Sequence, residues 1–386
     1  MIKRIYVKNF RSLAETEVNL DKLTILVGPN ASGKSNFIDV LRFVADSMKK
    51  GIENAITERQ GIKNIRRYAP RRPYDIEIEL NLEHNNVEYL YRFEIKSIKP
   101  EADYYLSYTI KREYCEFRSS AAEDKFEIKN GKWTNYPKSI PGGRGTEPPP
   151  GLPQPDSRKL HLPLINLAPF NKLYFFLSQM SFYNIYPNEI RQPREPLIDY
   201  PLDWQGKNIA SVIKMMQRDS KQSLIYIKNA LTDIIPYIKD IEVKHIAGYL
   251  TLKFYHKYND KDIVFEASQE SDGTLRILGL LVALFQEPSP SLLAIEEPEL
   301  TVHPGILPFL GDLIKEAAAK RSQVIITTHS PDLITRFDPL NLRIVEWNYQ
   351  DGTIINKIDE NQISIIQEKL FGAGDLLRIE GLRAAK

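Results

Sequence analysis

The 386 residues are 42% hydrophobic and 26% charged, an ordinary globular balance with ample material for a buried core, and long enough for one large composite domain or two. The 52 basic and 50 acidic residues leave a net charge of +2, which argues against a constitutive nucleic-acid coat and leaves room only for a local basic patch. With Cys115 alone there is no internal disulfide, and no run has the length or character of a signal peptide or a membrane span, so a cytoplasmic chain without a membrane partner is expected.

In chain order, residues 2–7 and 16–20 read as short strands, and Leu23-Thr24-Ile25-Leu26-Val27 reads as a buried strand ending at Gly28. A helix should start near Gly33, with Phe37, Val40, Leu41 and Val44 on its apolar face. Ile76-Glu77-Ile78-Glu79-Leu80 alternates, tyrosine-rich runs follow at 104–117, and Asn130-Gly131 suits a hairpin turn, so residues 75–135 predict an antiparallel sheet. Residues 137–155, crowded with Pro and Gly, predict a mobile loop. Residues 160–235 look mostly helical, with Ile209, Val212, Ile213 and Met216 marking a packing face. From 263 the pattern is α/β: a long apolar helix after Gly273, a strand at Leu292–Ile295, a helix through Ile306, Leu310, Leu313, Ile314 and Ala317, and a strand at Val324–Thr327. That order predicts a right-handed crossover between adjacent parallel strands. The expected division is an N-terminal lobe over 1–160, a mainly helical insertion over 161–262, and a C-terminal α/β lobe over 263–386. No repeat or sustained heptad is present.

Four segments carry chemistry. Gly28-Pro29-Asn30-Ala31-Ser32-Gly33-Lys34-Ser35 fits the phosphate-loop pattern at every fixed position, and Asn36 follows it. Its glycines let backbone N–H groups curl around phosphate oxygens, and the next helix aims its positive end at the same anions. Lys34 should reach the β- and γ-phosphates of ATP, and Ser35 should ligate Mg²⁺. Leu292–Ile295 ends in Glu296-Glu297, whose side chains face opposite ways on a strand. Glu296 is assigned to the metal, and Glu297 to polarising the attacking water. Val324–Thr327 runs into Thr328-His329-Ser330, so His329 should lie at a strand tip beside the γ-phosphate. Ser271-Asp272-Gly273-Thr274 opens a long apolar helix, and is either an ordinary N-cap or a second anion site for a partner's nucleotide.

Together with Lys8-Asn9-Phe10-Arg11-Ser12, Ile295-Glu296-Glu297-Pro298-Glu299 and Thr327–Ser330, these segments resemble the ABC ATPases of the SMC-like, RecF and OLD-type group. The resemblance is strongest to the short bacterial ATPases of antiphage defence and abortive infection. It implies an α/β P-loop NTPase fold, an ABC-ATPase head with a mixed core sheet, an antiparallel β subdomain and a helical insertion. It implies that Arg11 approaches the base or phosphates, and that Ser271, Asp272 and Gly273 contact ATP on the opposite subunit of a homodimer or higher even-numbered oligomer. Pro298-Glu299 and His303 would belong to the segment crossing that interface. Gln60 is the nearest candidate for the glutamine that joins the metal shell. Ser-Asp-Gly stands for the usual Ser-Gly-Gly, and Glu296 for the usual aspartate, as in the OLD-like branch. No Toprim domain is read after Ser330, so the effector, a Toprim-like or HNH nuclease for example, is expected to be a separate protein.

Lys63, Arg66, Arg67, Arg71 and Arg72 occur without an acidic residue between Gln60 and Tyr74, and can hold nucleic-acid phosphates, form a solvated loop, or feed arginine contacts into the nucleotide site. The tail Phe371–Leu377 can dock an effector or close its own core. The leading expectation is an ATP-hydrolysing, dimerising head controlling an effector in phage defence. The rivals are a RecF-like ATPase clamped on DNA and an ATP-bound scaffold with little turnover.

Overall fold

The computed structural model describes residues 1–67, 75–98, 108–138, 152, 154–198, 201–258 and 261–385. The first half contains β1 (Ile2–Phe10), β2 (Leu13–Asn19), β3 (Leu23–Val27), α1 (Lys34–Lys50), α2 (Ile52–Thr57) and α3 (Ile62–Ile65). Then come β4 (Ile76–His84), β5 (Val87–Ser97), β6 (Tyr108–Arg118), β7 (Glu123–Lys129) and β8 (Lys132–Asn135). The middle holds α4 (Ala168–Ser178), β9 (Ser181–Tyr183), α5 (Pro187–Arg191), α6 (Ile209–Asp219), α7 (Lys221–Ile234), β10 (Ile238–Ile246), β11 (Tyr249–Tyr258) and β12 (Lys261–Glu266). The last part contains α8 (Asp272–Phe285), β13 (Leu292–Glu296), α9 (Leu307–Lys320), β14 (Gln323–Thr328), α10 (Pro331–Ile334), β15 (Leu342–Asn348), β16 (Gly352–Lys357), α11 (Glu360–Gln367) and α12 (Ala373–Ile379).

Thirteen strands form one sheet in the order β8-β7-β6-β5-β4-β1-β2-β16-β15-β3-β14-β13-β9. From β15 to β9 the neighbours are parallel, as the crossover expectation requires for β13 and β14. β3 and β14 are buried at every position, the mark of strands covered on both faces. α1 covers one face with Phe37, Val40, Leu41 and Val44, each contributing about 1.5–3 kcal/mol by burial. α8 and α9 cover the other through Leu278, Leu281, Leu310 and Ile314. Ile209, Val212, Ile213 and Met216 of α6 are buried as expected.

The alternation in β4 buries Ile76, Ile78, Leu80 and Leu82, and the antiparallel strands expected over 75–135 are present as β4–β8. β4 pairs with β1, so they extend the core sheet directly. The segment 161–262 is helical only as far as Ile234; β10, β11 and β12 then make a second, three-stranded antiparallel sheet. Alternation at Leu250, Leu252 and Phe254 puts one face of β11 in the core, a period of two that the helical reading passed over. β9, from the same segment, joins the core sheet beside β13. The Asn130-Gly131 turn joins β7 to β8, with both residues at positive φ, as a tight hairpin demands. Residues 104–107, most of the Pro/Gly loop (139–151 and 153), and Arg71 and Arg72 lie outside the described residues. Among the described residues, no helix is long and apolar enough to cross a membrane.

Candidate nucleotide-binding site

β3 delivers the chain to Gly28 at the end of a fully buried strand, and the loop folds over the edge onto the α1 face. Two glycines are obligatory. A Cβ on Gly28 would stand 2.2 Å from the Val345 carbonyl, and one on Gly33, at φ +106°, 2.0 Å from Thr353 Oγ1. Thr353 Oγ1 donates to the Ser32 carbonyl at 2.9 Å and lies 2.7 Å from Ser12 Oγ, which accepts from Asn36 Nδ2 at 2.7 Å. The loop is therefore pinned from β16 and from the β1–β2 turn. Pro29, Asn30, Ala31 and Ser35 are exposed. Lys34 Nζ bends back to donate to the carbonyls of Gly28 (2.7 Å) and Pro29 (3.0 Å). Burial lowers its pKa, opposed by the charges of Glu297, Glu299 and Glu296. Ser32 Oγ is buried without a hydrogen-bond partner, an unsatisfied group inside the loop.

The register Glu296↔Thr327 and Thr328↔Val27 brings the carboxyl ends of β13, β14 and β3 level with one another. Ser35 Oγ donates to Glu296 Oε2 at 2.5 Å. Burial pushes the Glu296 carboxyl above its usual range, and the Ser35 bond opposes that shift. Glu297 turns away with φ +43°, a left-handed backbone that a non-glycine residue holds only when its neighbours fix it. Its N–H donates to the Thr327 carbonyl (3.0 Å) and Thr327 Oγ1 (3.2 Å), and its own carbonyl accepts from Arg276 at 2.7 Å. Glu297 Oε1 lies 3.4 Å from His329 Nδ1, and the imidazole is about half exposed. Glu299 is buried, and its Oε1 accepts from Thr328 Oγ1 (2.6 Å) and the His329 N–H (3.1 Å). It thus fixes the histidine from beneath, while exposed His303 caps its own short turn by accepting from the Gly305 N–H.

The structure thus gathers Lys34, Ser35, Glu296, Glu297 and His329 at one edge of the sheet. Ser271, Asp272 and Gly273 lie elsewhere. Ser271 Oγ caps α8 by accepting from the Thr274 N–H at 3.1 Å, Arg191 holds Asp272 at 2.6 Å, and Gly273 sits against the Thr301 carbonyl. Arg11 also turns elsewhere, with Nη2 2.7 Å from Asp39.

Gln60 is not among the residues that line the small cavity at Glu296. Gln60 follows α2 at φ +61° and lines a cavity of about 460 Å³ with Arg11, Asp39, Asp46 and Arg59 on the flank of α1. Asn184 takes the place beside Glu296. Tyr183 pairs with Ile295, so Asn184 comes opposite Glu296, and the two line one small cavity.

Two further residues escaped the sequence reading. Thr353 has no motif around it. Arg276 is buried on α8, donating to the carbonyls of Ile185, Glu296 (3.4 Å) and Glu297 (2.7 Å). A lone arginine within the run Leu275–Phe285 was the available signal.

Residues 23–335 match the family described as "AAA domain, putative AbiEii toxin, Type IV TA system". The chain is 24% identical over 387 residues to the Old nuclease of Escherichia phage P2, covering 93% of this chain and 61% of that protein. It is 23% identical over 409 residues to the OLD nuclease of Thermus scotoductus, covering all of this chain and 70% of that one. The chain therefore spans less than two thirds of the phage relative. Its fold is similar to the Smc head solved with the C-terminal winged-helix domain of ScpA, with a TM-score of 0.53 at 14% identity, over 92% of this chain and 96% of that one. The loop geometry, the acidic strand beside it and these matches place the chain in that AAA-domain family, as an ABC-type ATPase of the SMC/OLD group.

Proposed function

We propose that the chain binds ATP with Mg²⁺, hydrolyses it between two copies of itself, and uses the assembled state to control a separate effector in antiphage defence. The observation that carries this is the level alignment of Lys34, Ser35, Glu296, Glu297 and His329 on adjoining strand ends. Lys34 would exchange two backbone carbonyls for phosphate oxygens, and the unpartnered Ser32 hydroxyl would gain an acceptor. Glu297 would orient and polarise water for in-line attack, with His329 alongside to meet charge on the γ-phosphate.

The donor set fits magnesium. Ser35 Oγ and Glu296 form an oxygen pair at the loop, and Mg²⁺ typically takes few protein ligands, filling its shell with water and phosphate. Among the described residues no cluster of three or more carboxylate, histidine or cysteine groups would hold a metal by itself. When bound, the ion neutralises charge across the β- and γ-phosphates.

Ser271–Gly273 remain exposed or half-exposed, away from the chain's own loop, which supports contact with a second copy's nucleotide. The word nuclease in the relatives' names supports an effector of that kind, Toprim-like or HNH. The same names, with Lys63, Arg66 and Arg67, support a second reading in which the dimer clamps DNA. That reading expects DNA-stimulated ATPase activity that falls steeply with salt.

Light scattering of Glu297→Gln with Mg²⁺ and ATP tests the sandwich. A dimer that forms only with nucleotide is expected; a monomer at every ATP concentration would overturn it.

A further inference from the structure

β15 outlasts the strand it pairs with. Its parallel register with β3 ends at Ile344↔Val27, and β15 then continues through Val345, Glu346 and Trp347 where β3 has turned into the phosphate loop. Alternate residues share a face, so Trp347 lies on the same face as Val345, which packs into the core on the α1 side. Opposite Trp347 stands Thr353, whose hydroxyl donates to the Ser32 carbonyl at 2.9 Å. Cβ atoms of directly opposed residues lie about 5 Å apart, so the indole stands one residue's width from the phosphate loop.

The indole is half exposed, and Tyr349 beside it is 91% exposed, with the rings 4.8 Å apart and steeply inclined. Two large rings at a hairpin tip bury little for the fold. Arg67 reaches the same tip, donating to the Gln350 carbonyl at 3.4 Å. Rings with a guanidinium nearby, next to a phosphate site, are the chemistry that stacks a nucleobase. The cavity on the flank of α1 offers no such surface. Its lining groups are polar or charged, and Asp39 is already shared by Arg11 and Arg59.

We infer that Trp347 and Tyr349 form the stacking platform for the purine base of the nucleotide whose phosphates the loop holds. This rests on the nucleotide reading above, so its test must separate the two. Calorimetry of the full chain with Mg²⁺ compares ATP with inorganic tripolyphosphate, which has phosphates and no base. Trp347→Ala should weaken ATP about tenfold, leave tripolyphosphate unchanged, and be largely rescued by Trp347→Phe. Unchanged ATP affinity in Trp347→Ala would overturn the platform and leave the phosphate site standing. An equal loss for both ligands would also overturn it, by showing that Trp347 acts through the shape of the loop. Wild type binding neither ligand would overturn both readings. If Trp347→Ala lost affinity for an oligodeoxythymidine but not for ATP, the rings would serve a nucleic-acid strand, and the platform would again fail.

Discussion

Two helix starts in this molecule have similar local chemistry and opposite construction. α1 begins at Gly33, which supplies no side-chain cap and leaves its left-handed backbone under a tight loop. α8 begins at Ser271, which caps itself onto the Thr274 N–H and carries Asp272 in its first turn, tied to Arg191. The first leaves its donors open and holds a lysine in reserve for an anion. The second has its Thr274 N–H met by its own Ser271, and its acidic residue already complements the helix dipole. One start therefore waits for an anion with its donors open, and the other is already stabilised by its own cap. A self-capped start needs no ligand to be stable, and so can stand exposed until another surface arrives.

The largest expected effects fall on the first start and the strands around it. Glu297→Gln should lower phosphate release about a thousandfold while ATP binding by calorimetry is retained. Loss of binding along with turnover would mean that Glu297 holds the nucleotide rather than activating water. Lys34→Ala should weaken ATP about a hundredfold, because the charge-assisted bonds to phosphate are lost. If it bound ATP like wild type, the α1 start would not be the anion site of this chain.

The difference between the two starts also explains what was legible in the sequence. The phosphate loop is eight consecutive residues between a strand and a helix, so local spacing carries nearly all of it. Glu296, Glu297 and His329 were found because each ends an apolar run of strand length, and parallel strands put such ends on one edge. Thr353, Arg276 and Asn184 reach the site only through long-range pairing, of β16 with β2, α8 with β13, and β9 with β13. Nothing within a few residues of Thr353 or Asn184 announces it, and for Arg276 the local signal is one charge inside an apolar run. Gln60 shows the converse: it is near the loop in sequence, but α2 carries it along the flank of α1. The extension of the core sheet by β4–β8 was hidden in the same way, since alternation shows that a strand has one buried face and not which strand it joins.

Ser271→Arg sharpens the comparison at the second start. It should leave ATP affinity at the chain's own loop unchanged and cut turnover about thirtyfold, the scale of a lost charged hydrogen bond. Mixing it with Lys34→Ala tests the geometry directly. Each variant supplies what the other lacks, so an equal mixture should recover about a quarter of wild-type turnover, from the half of the dimers that carry one sound composite site. No recovery would place Ser271 in the service of its own loop or of the fold alone.

The smallest effect is expected at the residue that ties the two regions together. Arg276 rides on α8, one turn beyond the Ser271 cap, yet its guanidinium is buried and donates to the Glu297 carbonyl. Burial lowers its pKa, with Glu299 and Glu297 opposing that shift. Glu297 holds φ +43° against its own preference, and Arg276 anchors it there together with Thr327 and the Leu300 N–H. Arg276→Met keeps the length and removes the donors, so the Glu297 backbone should relax and its carboxylate drift from the line of attack. Turnover should fall about tenfold at an unchanged KM for ATP, because the loop and Ser35 are untouched. A melting curve taken alongside separates this from simple destabilisation, which would lower the active fraction and the Tm but leave the turnover of the folded remainder intact. If turnover per folded molecule stayed at the wild-type value, Arg276 would be a packing residue, and α8 would have no mechanical route from its exposed start to the acidic strand.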